Sequence, residues 1–223
     1  MRFLEDGYDG TTVAKIREDA GVSNGALFHH FKSKDAIAAA LYVDAIKDFQ
    51  AGHWRILEDP PATLREGVAA MIAHHLRWVQ EHPDQARFLY EAGQLDADDV
   101  GAAELGRLNG EIAAAYAEWY RPLIERGEAR RVRVGLVVAI VGGPSHAVAR
   151  HWLGGPRETD LSRHADELSY AAWASLAGPA ALAEATGQAA PPPPADAPRP
   201  ARVRIELLAD DGTVLGTTDS ELT

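Results

Sequence analysis

The chain of 223 residues contains no cysteine, and this removes disulfide frameworks, thiolate zinc sites and cysteine nucleophiles together. Long apolar runs are missing too. The two longest uncharged stretches, Val134–Ala149 and Leu168–Ala183, have 16 residues each and both contain a Gly-Pro. Crossing a bilayer takes about 20 apolar residues, so neither is expected to span one. The first residues place Arg2, Glu5 and Asp6 around two apolar side chains, which is not the pattern of a signal peptide. Basic residues are in deficit: 22 Lys and Arg against 33 Asp and Glu give a net charge of −11. That balance excludes broad affinity for nucleic acid, which depends on cations neutralising phosphates. The remaining composition, 46% apolar and 25% charged, is that of a soluble globular protein, expected to be cytoplasmic.

The charge is unevenly placed. Between Gly10 and Lys34, four basic residues (Lys15, Arg17, Lys32, Lys34) meet two acidic ones (Glu18, Asp19), so this stretch is locally positive while the acid lies downstream. A small contact surface here could engage DNA while the rest of the molecule suppresses non-specific adhesion.

Residues 7–34 carry the most specific pattern. Gly7 can end a preceding helix, and Thr11 or Thr12 can cap a new one with Val13, Ile16 and Ala20 inward. Gly21 breaks that helix, Val22 is expected to plug the turn, and Ser23 can cap a second short helix with Leu27 and Phe31 inward. Two short helices around a glycine-centred turn describe a helix-turn-helix over about residues 12–31. On the second helix, Asn24, Gly25, Phe28 and His29 fall on the other side. Gly25 permits close backbone approach, Asn24 offers a donor and an acceptor to a base edge, and Thr12 sits where helix N–H groups can meet a phosphate. Lys34, opening the next helix behind Ser33, can reach the backbone beside the groove.

Downstream, apolar residues recur at helical spacing. Helices are predicted over Asp35–Glu58, stopped by Pro60-Pro61; over Thr63–Glu81; from Pro83 through Tyr90; over Ala102–Arg126; and over Val134–Leu153 and Asp160–Ala177. Residues 187–200 hold six of the 13 prolines and read as an extended linker. After it, Val203, Ile205 and Leu207 alternate with Arg202, Arg204 and Glu206. An Asp-Gly turn and a second apolar run from Val214 then complete a β-hairpin. The fold class is therefore all-α with a small hairpin tail. It divides into a helix-turn-helix domain (1–43), a larger helical domain (44–186), the linker (187–201) and the tail (202–223).

The run FLEDGYDGTTVAKIREDAGVSNGALFHHFKSKDAIAAAL, residues 3–41, resembles the TetR family of transcriptional regulators, with weaker similarity through EHPDQARFLYE and GGPSHAVARHWL to about Ala177. The resemblance implies an all-helical homodimer that binds a palindromic operator in double-stranded DNA and responds to a small apolar effector. By position it implies DNA contacts from Thr12, Ser23, Asn24, Gly25, Phe28, His30 and Lys34. Two residues depart from the family pattern: Phe28 stands where tyrosine is frequent, and Asn24 where lysine is common. Only Met1–Asp6 precedes Gly7, less than the family's usual first helix. Either the start is assigned late, or the chain is truncated, or the domain is short. The resemblance also implies a dimer interface from two copies of the helix pair within about residues 134–177, where Gly142, Gly143, Ala147, Ala171 and Ala174 permit close approach. An effector pocket among the middle helices would draw on Trp54, His74, Trp78, Phe88, Tyr116 and Trp119, with Tyr90, His75 and Gln94 as further candidates.

Chemical alternatives are weaker. Gly143-Pro-Ser145 resembles a nucleophile elbow, but an elbow needs a parallel sheet, and a small-residue kink in a packed helix is the expected reading. His74-His75 and His29-His30 are adjacent, so on a helix they point about 100° apart rather than converging on a metal, and both pairs read as solvated surface. Asp96, Asp98 and Asp99 lack the glycine and terminal glutamate of a calcium loop. No metal, cofactor or enzymatic activity is expected. A ligand-responsive repressor is the leading expectation; a dimeric small-molecule-binding module that has lost DNA binding is the alternative.

Overall fold

A computed structural model describes residues 2–91, 99–187, 201–208 and 214–222. Two compact units emerge, residues 1–188 and 189–223. In the first, helices α1 (Arg2–Glu5) and α2 (Gly7–Gly10) meet at Gly7, whose φ of +71° suits glycine. Thr11 closes this corner: it is 1% exposed, and its hydroxyl donates to the Gly7 carbonyl at 2.7 Å.

The next four helices each start where a side-chain oxygen meets a free backbone N–H. Thr12 accepts from the Lys15 N–H and opens α3 (Val13–Ala20), which Gly21 ends at φ +65°. Ser23 accepts from Ala26 and opens α4 (Asn24–His30), and Ser33 accepts from Ala36 and opens α5 (Lys34–Glu58). Thr63 and Glu66 form a reciprocal capping box at the start of α6 (Leu64–Glu81), a pairing not anticipated above although its residues stand at the standard spacing. Then come α7 (Pro83–Glu91), α8 (Asp99–Glu125) and α9 (Val134–Leu153). The 3₁₀ turn Leu161–His164 runs into α10 (Ala165–Leu176), and α11 (Pro179–Thr186) follows. Helix α11 was not anticipated, though Pro179 in its first turn and Gly187 at its end are standard start and stop residues.

Helix α6 is the central element, packed by α5, α7, α9 and α10. Its Leu64, Val68, Ile72, Leu76 and Val79 are each no more than 1% exposed. Burying such a side chain stabilises the fold by about 1.5–3 kcal/mol, so this row is the main contribution of α6. Because neighbours cover several sides, His74 and His75 are buried at 6% and 5% exposure, which corrects their expected place on solvated surface. A separate apolar cluster joins Phe3, Leu27, Ile37 and Ala38 to Phe88 of α7, and so seats the helix-turn-helix on the larger body.

Two expectations fail within the motif. Val22 is 40% exposed rather than plugging the turn, and Ala20 is exposed, because Leu27, Val13 and Ile16 already fill the small interior. Ser145 lies inside α9, 1% exposed, with its hydroxyl donated to the Val141 carbonyl. A mid-helix serine bonded to its own preceding turn is not the strand-turn-helix of a nucleophile elbow.

The second unit is a hairpin in which β1 (Ala201–Leu208) pairs antiparallel with β2 (Val214–Leu222) from Ala201↔Leu222 to Leu207↔Gly216. The second strand runs to Leu222, farther than its apolar residues suggested. Gln94, Asp96, Asp98, the Asp-Gly turn and linker positions 188–200 lie outside the described residues. Among the described residues, no helix is long and apolar enough to cross a membrane.

Candidate nucleic-acid interface and effector cavity

Thr12 and Ser23, the caps of α3 and α4, are both exposed, as are Gly25, His29 and His30. Leu27 is 8% exposed while its neighbour Phe28 is 51% exposed, so α4 has one face in the interior and one in solvent. Nothing lies within 4 Å of a Cβ built on Gly25, leaving that face open to close approach. Asn24 is the first residue of α4. Six of the seven expected DNA-contacting positions thus fall on or immediately before α3 and α4.

Lys34 differs. It is partly buried, its ammonium donates to the Tyr8 carbonyl at 2.8 Å, and it lies 4.1 Å above the centre of the Tyr8 ring. The Tyr8 hydroxyl in turn donates to Asp35. Tyr8, which the sequence reading passed over, therefore positions the one lysine that reading placed beside the groove. Other nearby cations are paired as well: Lys15 with Asp6 at 2.9 Å, and Arg2 with Asp19, where the second hydrogen bond is 2.8 Å long. Such exposed pairs contribute little to stability and can be exchanged for phosphate contacts.

Helices α5, α6, α8 and α9 enclose a cavity of about 490 Å³, within the range of small-molecule sites. Of the expected pocket residues, Tyr116 and Trp119 line it. His74 does not: its Nε2 bonds the Phe49 carbonyl at 2.8 Å and its ring stacks on Phe49, which itself faces the cavity. Trp78 also stands behind Phe49, with its indole N–H donated to Asp48 at 2.9 Å. Trp54 is 38% exposed and lines a separate, more open hollow with Pro60, Pro61 and Trp119. Phe88 is turned toward the helix-turn-helix, 5.9 Å from the Phe3 ring and 6.4 Å from Tyr42. Helical spacing marks the aromatics Trp54, Trp78 and Phe88 as core candidates but cannot say which neighbour each meets.

The cavity's own polar groups come mostly from residues the sequence reading missed: Gln50, His53, Asn109 and His146, with His75 its one further candidate that lines the wall. His53 Nδ1 pairs with the Tyr116 hydroxyl, and His75 Nε2 with the Tyr90 hydroxyl at 3.0 Å. Burial, reinforced by neighbouring imidazoles, lowers both His53 and His75 to about 3. Burial also raises the Tyr90 phenol to about 12 and lifts Tyr116 further. These hydrogen bonds are therefore between neutral groups, and the tautomer of each imidazole sets which partner donates.

Helix α7 touches both regions. Phe88 packs into the helix-turn-helix cluster, while Tyr90, two residues on, bonds His75 and meets His146 at a ring separation of 5.2 Å. Two residues correspond to about 200° of rotation, so opposite sides of one short helix face the cavity wall and the helix-turn-helix.

Residues 2–41 match the family model for bacterial regulatory proteins of the tetR family. The HTH-type transcriptional repressor Rv1474c of Mycobacterium tuberculosis is 51% identical over 131 residues, 59% of this chain and 63% of that protein, so the match spans less than two thirds of the relative's length. Among solved structures, a tetR-family regulatory protein from Rhodococcus RHA1 superposes with a TM-score of 0.65 at 16% identity, over 79% of this chain and 92% of that one. FadR from Bacillus subtilis, solved in complex with stearoyl-CoA, gives a TM-score of 0.62 at 20% identity, over 76% and 91%. At these identities the superpositions establish the shared fold. Together they show a tetR-type segment over residues 2–41 and, over most of the chain, a fold shared with tetR-family regulatory proteins.

Proposed function

We propose that this chain is a ligand-responsive transcriptional repressor. It acts in the cytoplasm as a homodimer on a palindromic operator and is released by a small apolar effector. The observation that carries this reading is the capped α3–α4 pair with its exposed α4 face, joined through α7 to a cavity among the larger helices. The named repressor among its relatives and the ligand-bound FadR support it. DNA is contacted by Thr12, Ser23, Asn24, Gly25, Phe28 and His30, and by Lys34 once its ammonium leaves Tyr8. An effector that binds better to a conformation with altered α4 spacing lowers operator affinity by its differential binding free energy.

Dimerisation uses α9 and α10. Leu136, Val138 and Tyr170 are 51%, 57% and 60% exposed, beside exposed Gly143, Ala147, Ala171 and Ala174. A two-fold pairing of this face would set two α4 helices one DNA turn apart, about 34–36 Å. One observation favours the second reading, a ligand-binding module without DNA affinity: Arg2, Lys15 and Lys34 are all engaged within the protein.

Fluorescence anisotropy with the DNA immediately upstream of the chain's own gene, across a salt series, separates the two. A repressor binds saturably, loses affinity with salt and resists competitor DNA. Lys34→Ala should weaken all sequences alike and reduce the salt slope by about one. Asn24→Ala should relax base preference. Absence of salt-dependent, competitor-resistant binding would leave the module reading.

A further inference from the structure

Among the described residues, the cavity wall contains no Asp, Glu, Lys or Arg. A buried charge needs a partner, so a carboxylate, phosphate or ammonium has nothing on this wall to pair with. The histidines do not substitute, because burial lowers His53, His75 and His146 alike and so favours their neutral forms. Most of the wall is apolar, with Met71, Ile72, Ile112, Val137 and Val141 among its side chains.

Most of its polar groups already have partners. Tyr116 pairs with His53, His75 with Tyr90, the Tyr120 hydroxyl donates to the Arg130 carbonyl, and the Trp119 N–H donates to the Pro61 carbonyl. Gln50 keeps a buried acceptor open. It lines the cavity, is 6% exposed, and donates its Nε2 to Asn109 Oδ1 at 2.9 Å. That bond orients the amide, and among the described residues Gln50 Oε1 is the buried side-chain polar atom left without a hydrogen-bond partner. A buried acceptor without a donor is costly and rare in folded proteins.

Resting on the effector role proposed above, we infer that this cavity takes an uncharged, mainly apolar molecule bearing one hydroxyl or N–H group, which donates to Gln50 Oε1. Anionic metabolites of similar size are refused because their charge would be stranded. The apolar walls supply most of the affinity, and Gln50 selects among guests of equal size.

Calorimetric titration of the full chain with β-naphthol, β-methoxynaphthalene and β-naphthoate tests this directly. The three share a ring system and differ in donor and charge. The naphthol should bind about tenfold more tightly than the ether, the worth of one net hydrogen bond. The naphthoate should bind at least about a hundredfold more weakly than the naphthol. Gln50→Leu should erase the difference between naphthol and ether, and Ala113→Trp, which fills the cavity, should abolish binding of both. The ranking on the unaltered chain stands even if a variant does not fold. Equal binding of naphthol and ether, naphthoate binding as tightly as the naphthol, or no binding of either neutral compound overturns the inference. Naphthol binding that leaves operator affinity unchanged would keep the cavity's chemistry and remove the effector role. Operator release by the naphthoate would do the reverse.

Discussion

Substituting Gly52 with alanine tests the packing behind the cavity. A Cβ on Gly52 would lie 2.0 Å from His74 Cε1 and 2.4 Å from both ring nitrogens, where ordinary contact begins near 3.4 Å. The ring would have to retreat by about 1.4 Å, yet it is 6% exposed and tied to the Phe49 carbonyl at 2.8 Å. A shift of that size breaks the hydrogen bond, costing about 0.5–1.5 kcal/mol. Overpacking of a filled core adds about 1–3 kcal/mol. Alanine's better helix propensity offsets about 1 kcal/mol. The net expectation is destabilisation by about 2 kcal/mol, or a fall in Tm of about 4–8 °C for a domain of this size. Circular dichroism melts should be run at one protein concentration, because assembly makes Tm concentration-dependent. In the His74→Ala background the same substitution should cost nothing further, since the clashing ring is gone. A Gly52→Ala protein that melts at or above its parent would refute the reasoning.

Two further outcomes follow from the same geometry. Phe88→Ala removes a 4% exposed ring from the seam with the helix-turn-helix; the loss of about 3–5 kcal/mol should loosen the DNA-binding unit and lower operator affinity. It should leave β-naphthol affinity within about twofold, because Phe88 is not on the cavity wall; parallel anisotropy and calorimetry check the contrast. As for pH, His53 and His75 have folded values near 3 against 6.5 when unfolded, so below about 6.5 the unfolded chain binds protons that the folded chain refuses. Stability is therefore full above that point and falls with decreasing pH, by up to about 1.4 kcal/mol per pH unit for each histidine. Urea unfolding between about pH 7 and 5 should show this decline, and a His53→Gln, His75→Gln protein should show a flatter one. A parent profile that stays level would contradict the neutral-histidine assignment.

Local chemistry made much of the architecture legible in the sequence. Thr12, Ser23 and Ser33 stand where helix N-termini need an acceptor, Gly21 where the chain turns left-handed, and Pro83 and Arg133 flank helices at the expected places. Short-range rules are enough for these because their partners lie within a few residues. The cavity depended on long-range packing and was less visible. Gln50 meets Asn109 across 59 residues, and His53 meets Tyr116 across 63. Phe88 shows the same gap: its spacing revealed an apolar face, while the arrival of Phe3 and Tyr42 decided what that face touches. Lys34 was placed by its own position, but its engagement with Tyr8 required the fold of α1 and α2.

The division of labour around α7 bears on how such a protein can diverge. None of the residues lining the cavity belongs to the cluster that seats the helix-turn-helix, and α7 contributes none of the lining. Positions such as Ile112 and Ala113 can therefore drift, reshaping the cavity without disturbing the packing beneath the helix-turn-helix. Substitutions on α7 lack that freedom, since Phe88 and Tyr90 answer to opposite sides of one short helix. Descendants should vary fastest along the inner faces of α8 and α9 and slowest at this hinge between the two halves of the molecule.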